Sequence, residues 1–162
     1  MSQIKLPPFD PFVRIGSEFA LLGAADGENK NAMTVSWGEC GVLWNKNVFT
    51  VFVRPQRYTH EILEKSEYIT LSFFGGEYKN ELMYFGRVSG RDEDKFEKTS
   101  LFANVENGAL VFEKAKLTLV GKIIYKSHIS PENFVDGEIS KNYPENDYHT
   151  VYTCEIINVI EK

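Results

Sequence analysis

At 162 residues, with 43% hydrophobic and 25% charged side chains, the chain can bury one real core but hardly two, so a single domain over residues 1–162 is expected. The net charge of −5 offers no basic field to a nucleic acid, and no stretch approaches the roughly 18 consecutive apolar residues of a membrane span. Met1 to Phe12 carries Pro7, Pro8 and Pro11 without the pattern of an export signal, and Cys40 and Cys154 form no CxxC; a reducing, cytoplasmic setting is expected, without a disulfide framework or a zinc site.

Glu18 to Ala25 reads as a strand, and the turn residues Asp26 to Asn29 lead from it to a second strand, Ala32 to Trp37, giving a hairpin. Asn47 to Val53, dense in Val and Phe, is an interior strand ended by Pro55. Thr59 to Lys65 reads as a short helix with Glu61 and Lys65 spaced to pair. Tyr68 to Phe74 is a strand stopped by Gly75 and Gly76, Tyr78 to Val88 has helical spacing, and a polar helix follows around Glu93 to Lys98. Leu117 to Tyr125 and Val151 to Ile160 are strands, with Gly121 a candidate bulge and Ser130-Pro131-Glu132 a brief helix between them. Strands and short helices that do not alternate point to a mainly β, α+β domain, a barrel rather than a doubly wound sheet.

Two segments can carry chemistry. Arg54 and Arg57 flank the start of the helix that holds Thr59, and a guanidinium fork suits phosphate oxygens. Pairing with surface carboxylates is the other reading, and spacing leaves both open. Asn31 to Gly38 puts an amide, two hydroxyls (Thr34, Ser36) and the Trp37 indole around Val35 on one strand, which suits either a flat ligand or a half-buried strand with its polar side in solvent. Lys95 reads as a solvated cation on a polar helix, and His149 as a histidine at a strand start. No nucleophile elbow, zinc-protease motif, phosphate loop or dinucleotide fingerprint is present, and His60, His128 and His149 are too scattered in sequence to suggest a metal site.

The blocks NAMTVSWGECGVLW, VRPQRYTHEILEKSEYITLSFF and SGRDEDKF, in that order, with the ending YHTVYTCEI, resemble the flavin reductase-like proteins, flavoredoxins included. The resemblance implies a split β-barrel with a few short helices that binds FMN without a covalent link, usually as a homodimer with the flavin near the subunit boundary. It implies that Asn31, Thr34, Val35, Ser36 and Trp37 lie along the isoalloxazine, that Arg54, Arg57 and Thr59 hold the phosphate, and that Lys95 and His149 approach the flavin. The leading expectation is an NAD(P)H-dependent flavin reductase in which the flavin carries the chemistry, with no obligatory protein acid or base. A flavoredoxin-like carrier serving a protein partner and a flavin-free barrel are the alternatives.

Overall fold

Alternating burial organises the molecule into two cores separated by one curled sheet. The computed structural model describes residues 4–162. Along β1 (Ala20–Ala25), Ala20, Leu22 and Ala24 point into the larger core while Leu21 points into the smaller, so every residue of this strand is buried. β1 pairs with β2 (Lys30–Val35) through a turn in which the Asp26 carboxylate accepts from the Glu28 and Asn29 amides and Gly27 takes a φ of +95°.

Seven strands form an antiparallel sheet in the order β2-β1-β5-β8-β9-β4-β3. The others are β3 (Gly38–Leu43), β4 (Lys46–Val53), β5 (Tyr68–Phe73), β8 (Leu117–His128) and β9 (Thr150–Glu161). β2 and β3 are the two edges, yet only Ser36 and Trp37 separate them in sequence. So short a link forces the sheet to curl until its edges meet at one end. They share no ladder, so the barrel is split along that seam. The inside holds Val35, Phe49, Val51, Leu71, Leu119 and Tyr152. Gly121 marks a bulge in the β8–β9 ladder, where a Cβ would stand 2.5 Å from the Phe49 ring.

The outer face of β1 and β2 is covered by α3 (Lys79–Arg87), α4 (Lys95–Lys98) and the hairpin of β6 (Ala103–Glu106) and β7 (Ala109–Phe112), through Leu82, Phe85, Phe96, Leu110 and Phe112. Also present are α1 (Pro11–Gly16), capped by the Asp10 carboxylate, and α2 (Tyr58–Leu63). The expected Glu61–Lys65 pair does not form, because Glu61 pairs with Arg91. The brief helix after Ser130 is a 3₁₀ turn, Pro131–Asn133. No helix among the described residues is long and apolar enough to cross a membrane.

Candidate ligand site

The register pairs Gly38 with Val51 and Val53 with Thr150. Trp37, Arg54 and His149, each just beyond a strand end, are thereby brought to one end of the barrel at the split. A trough of about 210 Å³ opens there, lined by the stretch from Met33 to Trp37, Phe52, Arg54, Arg57 and His149. Beside it lies a cavity of about 130 Å³, whose polar lining comes from Asn31, Gln56, Arg57, Arg87, Ser89 and Lys95. Arg57 belongs to both.

β2 is an edge strand, so one side of its backbone keeps unpaired N–H and C=O groups at the trough. Asn31 and Thr59 are buried, and the Asn31 amide donates to the Thr59 hydroxyl at 2.9 Å, tying β2 to α2. The expected shared polar side of Thr34 and Ser36 is not formed. The Thr34 hydroxyl donates to the Leu82 carbonyl on α3, and Ser36 lies exposed beyond the end of β2. Val35 points into the barrel core, leaving only its backbone for a ligand. Trp37 is 46% exposed, which is not the position of a core residue.

The two arginines part company. Arg54 Nη1 lies 2.7 Å from Asp147 Oδ1, Nη2 donates to the Asn142 carbonyl at 2.9 Å, and the guanidinium sits over the Tyr143 ring. Asp147 also accepts from Gln56 Nε2 at 2.6 Å. The expected phosphate fork of Arg54 is therefore largely taken up in holding the segment between β8 and β9. Arg57 donates to the Gly86 carbonyl at 3.1 Å and has no carboxylate partner among the described residues.

Lys95 overturns the solvated reading. It is 1% exposed, and its Nζ donates to the Phe85 carbonyl at 3.0 Å. Burial, with the Arg57 guanidinium adding to it, pulls its ammonium down to about 7. His149 is buried too, with Nδ1 2.7 Å from the Tyr143 hydroxyl and its ring 5.2 Å from the Trp37 indole. Burial, reinforced by Arg54 and opposed by Asp147, holds this imidazole down at about 4, so it is neutral near pH 7. Arg87 and Ser89 are absent from the sequence-based site. Their signal was the last turn of a helix followed by Gly90, which brings them over Lys95. Two of the histidines scattered in sequence meet in space, because His60 Nε2 and His128 Nδ1 both contact the Thr150 hydroxyl, at 3.0 and 3.3 Å. Among the described residues no group of three metal-ligating side chains converges.

The model of the flavin reductase-like domain family matches residues 12–162. The chain belongs to this family. Its fold is that of the flavin reductase-like split barrels. The FMN-binding protein from Thermus thermophilus, solved with 1-cyclohex-2-enone, superposes with a TM-score of 0.71 at 22% identity over 99% of this chain and 78% of that one. Flavoredoxin of Desulfovibrio vulgaris (Miyazaki F) gives 0.70 at 21% identity over 89% and 69%. An NADH:FAD oxidoreductase of Streptomyces globisporus gives 0.66 at 15% identity over 90% and 75%. No curated protein sequence matches. Within this family member, the trough lies at the split between β2 and β3, where the edge of β2 is free.

Proposed function

We propose that this flavin reductase-like chain is an FMN-binding oxidoreductase that takes hydride from NAD(P)H. The observation that carries the reading is the small cavity walled by Arg57, Arg87 and Lys95, with no acid in its lining, opening beside the Trp37–His149 trough. In a chain of net charge −5, two guanidiniums and a lysine gathered without a carboxylate partner among the described residues suit an anion. A flavin with a terminal phosphate matches both spaces at once, since Arg57 faces both.

In this reading Arg57, Arg87, Lys95 and the Ser89 hydroxyl hold the phosphate, with Arg54 positioning the neighbouring segment. The free edge of β2 at Thr34 and Val35, with Ser36 just beyond it, supplies hydrogen bonds to the ring, and Trp37 gives it an aromatic neighbour. Asn31 and Thr59 set the spacing between strand and helix. The Tyr143 hydroxyl, whose pKa burial raises, shares a hydrogen bond with His149 Nδ1 and so orients the imidazole that lines the trough. When bound, FMN supplies the redox chemistry, accepting hydride and delivering electrons onward. The protein supplies position and polarity, with no obligatory acid or base. A homodimer belongs to the same reading, because Phe12, Val42 and Trp44 are each more than half exposed and give a second copy an apolar surface.

The test is a fluorescence titration with FMN and with riboflavin, followed by anaerobic addition of NADH or NADPH while the visible spectrum is recorded. Tighter binding of FMN and bleaching of the flavin band are expected. Arg57→Ala should weaken FMN roughly ten- to a hundredfold and riboflavin far less. Equal affinities for the two flavins would overturn the reading. FMN binding without any response to either nicotinamide would instead make the chain an electron carrier for a protein partner.

A further inference from the structure

Lys95 presents a problem that the phosphate reading does not by itself resolve. An ammonium has three donors, and in this buried position one of them meets the Phe85 carbonyl, with the Phe85 ring 5.3 Å away. The groups around it are Lys30 and Asn31 from β2, Arg57 and Tyr58 at the start of α2, and Arg87 at the end of α3. Arg91, Asp92, Glu93 and Asp94 precede it in the chain, and Glu97 and Lys98 follow on α4. Two of these acids are engaged elsewhere: Asp94 caps α4, and Glu93 accepts from Tyr84. No carboxylate among the described residues forms an ion pair with Lys95, and Arg57 opposes its charge. Desolvation and like charge therefore favour the neutral amine while the cavity is empty, and a dianion in the cavity reverses that preference.

We propose that this cavity binds its anion together with a proton: a phosphate monoester dianion enters, one proton is taken from solvent, and that proton comes to rest on Lys95 Nζ. The inference rests on the phosphate reading above. Burial brings the ammonium down to about 7, so the amine is mostly neutral above that pH and must be recharged when the anion binds. A phosphate monoester loses its last proton near about pH 6 and is already a dianion over this range. Affinity for FMN therefore falls about tenfold for each pH unit above about 7.5, while affinity for riboflavin stays level. The lysine makes occupancy of the site respond to pH in the mildly alkaline range.

The experiment is calorimetric titration of the full chain with FMN at about pH 8.5, in two phosphate-free buffers of different ionisation heat, which counts protons directly. Uptake close to one proton is expected, together with the falling affinity. Lys95→Met keeps the side chain's length without a proton to gain, and should abolish the uptake and flatten the pH profile. FMN bound more tightly than riboflavin, but with no proton uptake and a level profile, would overturn the coupling and leave the phosphate reading standing. Equal binding of FMN and riboflavin would overturn both. Uptake that persists in Lys95→Met would place the proton on another group and overturn the assignment. Should that variant fail to fold, the proton count on the native chain decides.

Discussion

The Trp37 indole and the His149 imidazole lie 5.2 Å apart with their planes inclined by 54°, a contact between the two-residue link that closes the barrel and the residue that precedes β9. Trp37 is 46% exposed and so lies outside the core. A ring bound in the trough lies close to it, so FMN added to apoprotein should dim the tryptophan fluorescence. Trp37→Phe should remove most of that change and shift unfolding free energy by less than about 1 kcal/mol. Trp44, packed against Tyr125 at 5.8 Å, remains as the internal control. Full quenching retained in Trp37→Phe would show that the flavin sits elsewhere.

The buried bond from the Asn31 amide to the Thr59 hydroxyl gives a second expectation. Thr59→Val keeps the shape and strips the acceptor, leaving a buried amide short of a partner at a cost of about 1–3 kcal/mol. Thr59→Ser restores the oxygen and should recover most of the loss. Urea unfolding of the three proteins measures this, and a Thr59→Val midpoint equal to that of the native chain would mean that Asn31 finds another acceptor.

The strands dense in β-branched and aromatic residues, Asn47 to Val53 and Tyr68 to Phe73, were readable locally because their burial is written in their own residues. β3 was not, since Gly38, Cys40 and Gly41 carry little strand preference and the strand lies on an edge, mostly exposed. The β6–β7 hairpin and α1 do carry local signals: Asn107-Gly108, both at positive φ, and Asp10 followed by Pro11. In the site, Arg54 and Arg57 look alike in sequence. Their fates differ because Asp147, far along the chain, comes back to pair with one of them. Lys95 reads as solvated for a similar reason, since the groups around it include Asn31 on β2 and Arg57 and Tyr58 at the start of α2, which lie far from it in the chain.

The exposed side chains of Phe12, Val42 and Trp44 set up a measurement of assembly. Light scattering at micromolar concentration with FMN present should give about twice the chain mass. Val42→Lys, on the exposed edge strand β3, should shift that mass toward the monomer without unfolding the barrel. A monomeric native chain would remove the dimer from the functional reading.

The pH dependence of stability without ligand provides the last expectation, and its sign follows from two depressed basic groups. His149 near 4 in the fold titrates at about 6.5 unfolded, and Lys95 near 7 in the fold titrates at about 10.4 unfolded. In each window the unfolded chain holds more protons, so stability rises with pH from about 4 to 6.5 through His149 and from about 7 to 10.4 through Lys95. Below each folded value the cost of a buried charge is present in full, and above each unfolded value it is gone. Lys95→Met removes that cost and gives up one hydrogen bond to the Phe85 carbonyl. The variant should therefore be more stable than the native chain at neutral pH, by on the order of 2 kcal/mol, with the difference shrinking toward about pH 10. Thermal midpoints of both proteins across this range separate the lysine from other groups that titrate there, because those are common to the two. A variant less stable than the native chain at pH 7, or a difference that does not change with pH, would mean that the Lys95 charge is already satisfied inside the fold.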